Sequence, residues 1–99
     1  MTKLEKDIEA ALRGLVRRHH GLCLKWVSPG HSGVPDRIIL LPGGRVYFVE
    51  LKRPKGGEIA ALQLWWRQRL IDLGMSHHFV RNAEELRALE LLIMGGNEK

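Results

Sequence analysis

The tightest constraint on what this chain can fold into is one stretch, Pro35-Asp36-Arg37-Ile38-Ile39-Leu40-Leu41-Pro42-Gly43-Gly44-Arg45-Val46-Tyr47-Phe48-Val49-Glu50-Leu51-Lys52. Two apolar runs flank Pro-Gly-Gly, a turn sequence, and Pro35 lacks the N–H that a central strand needs. The spacing therefore predicts strands over Asp36–Leu41 and Arg45–Lys52, joined as a β-hairpin. The rest of the fold has to be built around that hairpin.

Its flanks supply the other elements. From Lys3 to His19 the residues Leu4, Ile8, Ala11, Leu12, Leu15 and Val16 recur at helical spacing, opposite a charged face. Leu22–Val27, bounded by Gly21 and the polar loop Ser28-Pro29-Gly30-His31-Ser32-Gly33, reads as a short strand. A second helix is expected over Ile59–Leu73, burying Ile59, Leu62, Trp66, Leu70 and Leu73 and ending at Gly74. Ser76–Val80 follows as a strand, and Asn82 with Glu85 forms a capping signal that opens a last helix through Leu92. The order α-β-β-β-α-β-α predicts an α/β protein with a mixed central sheet flanked by helices.

A chain of 99 residues has room for one core, so residues 1–99 are expected to form a single domain. With 44% hydrophobic and 27% charged residues it is not a disordered chain. The single cysteine, Cys23, excludes an internal disulfide, a thiolate-rich zinc site and a CxxC redox pair. The charged N-terminal run does not resemble a signal peptide, and no apolar run is long enough to span a bilayer, so a cytoplasmic protein without a membrane role is expected. Sixteen Lys and Arg against eleven Asp and Glu give a net charge of +5, which favours a polyanionic partner.

Alternation along the hairpin locates the chemistry. Val46, Phe48, Glu50 and Lys52 share one face of their strand, while Tyr47, Val49 and Leu51 share the other. If Leu41 pairs with Arg45 around a three-residue loop, Asp36 falls opposite Glu50 and two carboxylates meet on one face. A two-residue Gly-Gly loop would instead pair Asp36 with Leu51 and send the acids to opposite faces. In the first register the opposed acids repel unless a cation sits between them. Two hard oxygen ligands suit Mg²⁺ or Mn²⁺ rather than zinc, and Lys52, two residues along the same face, could orient a water molecule. That combination points to phosphodiester hydrolysis.

Gly33-Val34-Pro35-Asp36-Arg37, followed fourteen residues after the aspartate by Glu50-Leu51-Lys52 and then by Gln63 on the next helix, resembles the VRR-NUC domain, a branch of the PD-(D/E)xK nuclease superfamily. The resemblance covers nearly the whole chain. It implies a restriction-endonuclease-like α-β-β-β-α-β core carrying an extra C-terminal helix. It also implies Asp36, Glu50 and the backbone carbonyl of Leu51 as metal ligands, Lys52 as the catalytic lysine and Gln63 as a supporting residue. The family adds a glutamate from the first helix. Glu5 and Glu9 lie on one flank of the apolar stripe, roughly 60° and 100° from its middle. Glu9 is preferred, because related junction-cleaving members place this residue about a dozen positions before the glycine that ends the helix, here Gly21.

Small, phage-type members of this family stand alone, and the resemblance implies a homodimer that cuts branched DNA such as Holliday junctions, acting in a host cytoplasm. Two symmetry-related cuts need two sites, and one domain has one. A flap or nicking nuclease, or a basic DNA-binding module without catalysis, remain as alternatives. Phosphate contacts are expected from Lys25, Arg37, Arg53, Lys55 and Arg67, with His31 touching DNA from its loop. Trp65 stands 100° around the helix from Trp66 and is expected at a dimer contact.

Overall fold

The computed structural model describes residues 5–52 and 58–95. The elements run α1 (Glu5–Arg18), β1 (Leu22–Lys25), β2 (Arg37–Leu41), β3 (Arg45–Leu51), α2 (Ala61–Asp72), β4 (Ser76–Val80) and α3 (Ala83–Met94). The predicted order is the observed one. The ends differ by a few residues: β1 stops at Lys25 instead of Val27, β2 opens at Arg37, β3 closes at Leu51, and α3 runs on to Met94.

The hairpin takes the three-residue loop. Leu41 pairs with Arg45 and Arg37 with Val49, while Gly43 and Gly44 turn the chain with φ of 86° and 76°, angles that residues with a Cβ seldom adopt. Strand β1 adds antiparallel to β2, with Leu22 opposite Leu40 and Lys25 opposite Arg37. The crossover through α2 brings β4 parallel to β3, giving a mixed sheet in the order β1-β2-β3-β4. One further hydrogen bond, from the Lys52 N–H to the Val80 carbonyl at 3.0 Å, carries the pairing just past the end of β3.

Pairing fixes which side chains share a face. Cys23, Ile39, Leu41, Tyr47, Val49, Leu51 and Val80 form the core face, against which α1 lays Ile8, Leu12, Leu15 and Val16 and α3 lays Leu89 and Ile93. Helix α3 is capped as its sequence predicts, with Asn82 Oδ1 accepting the Glu85 N–H at 2.8 Å. The Glu85 carboxylate reaches back one residue beyond the usual partner, to the N–H and guanidinium of Arg81.

The opposite face carries Ile38, Phe48, Glu50, His77 and Phe79, and α2 packs over its β4 side with Gln63 reaching Glu50. The apolar stripe expected on α2 turns inward only in part, through Trp66 and Leu70. Leu70 alone is buried, while Leu62 and Leu73 are 45% and 61% exposed. The residues turned inward are Gln63, Trp66, Arg67 and Leu70. The reason is local: α2 meets a part of the sheet that is itself polar, so Gln63 is drawn in by Glu50, and a count of apolar residues misplaces part of the buried face.

Candidate active site

The register places the acids. Because the ladder ends with Arg37 across from Val49, the next step of the chain sets Asp36 across from Glu50 on one face. Asp36 is half-buried, and its Oδ1 accepts the N–H of Leu51 at 3.3 Å. Its own carbonyl accepts the Trp26 N–H at 2.9 Å, so the backbone just ahead of β2 is fastened to the end of β1. Glu50 is 7% exposed, an unusual position for a carboxylate without strong local partners.

Gln63 is one such partner. Its Nε2 donates to Glu50 Oε2 at 2.9 Å, while its Oε1 accepts the Ala60 N–H at 2.9 Å. The amide is held at both ends, so the start of α2 orients the donor that fixes Glu50. Lys52 Nζ lies 4.0 Å from the same Glu50 oxygen. Asp36, Glu50, Lys52 and Gln63 thus form one cluster at the end of β3. Among the described residues no group of three His, Cys, Asp or Glu side chains converges on one point. The donor set is instead two carboxylates on one face with the Leu51 peptide between their strands, hard oxygens that suit a magnesium-like ion better than zinc.

Glu9 reaches the site by a different route. Its carboxylate pairs with the guanidinium of Arg37, and Arg37 also donates through Nη1 to the backbone carbonyl of Asp36 at 2.9 Å. Glu9 therefore braces Asp36 through Arg37 from the α1 side. The surface phosphate contact expected of Arg37 needs correcting here: the residue is 8% exposed. Strand alternation turns it to the face opposite Asp36, where α1 covers it. The side chain of Glu5 lies outside the described residues, as do Arg53 and Lys55.

The other basic residues spread around the cluster. Lys25 is exposed at the end of β1. Arg67 is half-buried, close enough to His77 and His78 that its charge disfavours their protonation. Burial is the larger cause at both, and it takes the His77 imidazole down to about 4. His77 is 3% exposed, and its Nδ1 has no hydrogen-bond partner among the described residues. Burial likewise pushes the Cys23 thiol up, as fits a core residue rather than a nucleophile.

Two features of the site had no clear sequence signal. The Trp66 indole N–H donates to the Ser32 carbonyl at 2.9 Å, tying α2 to the loop that leads into Asp36. Gly33 sits against Leu62 so closely that an added Cβ would meet Leu62 Cγ at 2.7 Å, and its φ of +87° also demands glycine. The GVPD motif thus includes a packing requirement as well as the aspartate.

The architecture matches a solved structure described as "VRR_NUC domain", with a TM-score of 0.80 and 26% identity over 91% of this chain and 94% of that one. Over 70 residues the chain is 46% identical to "Putative nuclease p44" of Acyrthosiphon pisum secondary endosymbiont phage 1, covering 71% of this chain and 74% of the relative. No family model matches it. Fold and site together define a nuclease-type α/β protein of the restriction-endonuclease-like class. More narrowly, the chain belongs to the VRR-NUC family. Among the described residues no helix is long and apolar enough to cross a membrane.

Proposed function

We propose that the protein is a divalent-metal-dependent endonuclease that hydrolyses phosphodiester bonds in branched DNA, Holliday junctions among them, as a homodimer in the cytoplasm of a phage host. The observation that carries this reading is the β2–β3 register, which sets Asp36 across from Glu50 one step beyond the last pair of the ladder, with Gln63 and Lys52 both directed at Glu50. Asp36, Glu50 and the Leu51 carbonyl would hold Mg²⁺ or Mn²⁺. Once bound, such an ion lowers the pKa of a water molecule and offsets charge on a phosphate oxygen.

The chain's own residues do the rest. Gln63 keeps Glu50 in one orientation, and the Leu51 N–H does the same for Asp36. Lys52 offers an ammonium that orients the attacking water and stabilises negative charge building on the phosphate as the phosphorus–oxygen bond breaks. Glu9 acts one step removed, by fixing Arg37 and through it the Asp36 backbone. Lys25, Arg53, Lys55, Arg67 and His31 surround this cluster in the sequence or the fold and would contact the flanking phosphates; Arg37 leaves that set for the bracing role.

For the second copy, the sheet offers an open surface. Helix α2 packs over the β4 side of its face, leaving Leu22 and Leu24 of the edge strand β1 and Leu40 beside them exposed. Cleavage of labelled four-way, flap and linear DNA in Mg²⁺ tests the substrate, and light scattering on wild type and on Leu24→Lys tests the dimer. Preferred cutting of the four-way junction by a dimeric wild type is expected, with Leu24→Lys reduced to monomer. Equal cutting of all three DNAs, or a monomeric wild type, would remove the junction reading.

A further inference from the structure

The geometry points to a second element of substrate recognition: an aromatic cleft beside the acidic cluster that receives one unstacked nucleobase of the DNA. The cleft is open, about 320 Å³, and lined by Gly30, His31, Ser32, Leu62, Trp65 and Trp66. Trp66 is its fixed member, held by the bond from its indole N–H to the Ser32 carbonyl. Two rings stand nearly perpendicular to it, Trp65 at 5.0 Å and 89° and His31 at 5.9 Å and 79°. Leu62 supports the loop from below through its close contact with Gly33. The walls are therefore built before any ligand arrives, which lowers the ordering cost of binding.

Three observations favour a nucleobase as the occupant. Trp65 is 54% exposed although it is a large aromatic residue beside other rings, so its π-face is available. Charge complementarity is one-sided: neither the loop over residues 28–33 nor α2 before Asp72 carries a carboxylate, while Arg69 follows Trp65 by one helical turn on the exposed surface. A phosphate backbone can therefore approach without repulsion. The position is also right, because the loop runs directly into Asp36, and Gln63, which holds Glu50, lies one turn of α2 before Trp66. In a continuous duplex each base is covered on both faces by its neighbours, so the cleft takes a base only where stacking is interrupted, as at the branch point of a junction or in a single-stranded flap.

This inference rests on the DNA-cutting reading above, and its test separates the two. Binding is measured in EDTA by fluorescence anisotropy, with a labelled duplex bearing a single-stranded flap and with the fully paired duplex. Trp65→Ala should weaken flap binding by roughly 5- to 150-fold, the range expected for losing one base–aromatic stack, and change paired-duplex binding by less than about twofold. Trp65→Phe should restore most of the difference. A 2-aminopurine in the flap should be quenched by wild type and by Trp65→Phe, and not by Trp65→Ala. Equal losses on both DNAs, no loss on either, or a dimer that dissociates on Trp65→Ala would overturn the cleft, the last by making it a subunit contact. Wild-type cleavage in Mg²⁺ is read independently: stacking without cutting removes the nuclease reading and leaves the cleft, and cutting without a Trp65-dependent preference does the reverse.

Discussion

The two faces of the sheet differ in what they have been given to do. The core face is apolar from Ile39 through Val49 to Val80 and is closed by two helices, α1 and α3, with a capped N-terminus on the second. The opposite face ends in Asp36, Glu50 and Lys52, and it is crossed by one helix that buries a single leucine. Apolar packing is concentrated on one side and the acidic cluster on the other. Opposed carboxylates and a buried glutamate are costly to fold, and the densely packed face is what lets the domain tolerate them.

That division yields predictions of opposite sign on the two sides. Asp36→Asn and Glu50→Gln should each abolish cleavage, while thermal unfolding stays unchanged or rises slightly, because one of two repelling charges is gone. DNA binding in EDTA should persist or tighten, since negative charge near the phosphates is removed. Lys52→Ala comes next, with turnover falling roughly 10²–10⁴-fold in single-turnover assays at unchanged calorimetric Mn²⁺ affinity. Across the sheet, Leu12→Ala should cost about 2–5 kcal/mol in urea unfolding and lower activity only through the folded fraction. A core variant that lost catalysis at full folding, or an acid variant that lost its fold, would erase the distinction between the faces.

Smaller effects probe where the faces touch. Gln63→Ala removes the donor fixing Glu50 and should reduce cleavage by roughly 5- to 100-fold, the effect of one charge-assisted hydrogen bond. Gln63→Glu should be worse, placing a third carboxylate beside Glu50. The smallest effect is in pH dependence. His77, neutral in the fold with its pKa held at about 4, is protonated in the unfolded chain below its ordinary value near 6.5. The unfolded state therefore binds the extra proton, and stability is full above pH 6.5 and lost progressively as pH falls toward 4. Urea unfolding between pH 7 and 5 should show this decline, and His77→Phe should reduce it, the part that remains coming from His78, which burial also holds below its ordinary value.

Much of this was legible in the residues, and the parts that were not share a cause. Pro35 and the Pro42-Gly43-Gly44 turn announced the hairpin, and alternation put Glu50 and Lys52 on one face. What alternation could not decide was whether Pro42 belongs to the loop. Only the pairing of Leu41 with Arg45 settles that, and with it the meeting of Asp36 and Glu50. Side chains placed by partners distant in sequence escaped in the same way. Arg37 reads as a surface cation until α1 brings Glu9 over it. The inward face of α2 was legible in part: Trp66 and Leu70 turn in as periodicity expects, while Leu62 and Leu73 stay exposed and Gln63 turns toward a carboxylate thirteen residues away, a preference that hydrophobic periodicity does not register.

The central claim, that the Asp36–Glu50 pair performs metal-dependent hydrolysis, is tested most directly by one gel assay. Labelled four-way junction DNA is incubated with wild type in Mg²⁺, Mn²⁺ or EDTA, with folded Glu50→Gln alongside in Mg²⁺. Cut product in either metal, with none in EDTA and none from Glu50→Gln, is the predicted result. Product in EDTA, or Glu50→Gln cutting at the wild-type rate, would contradict it.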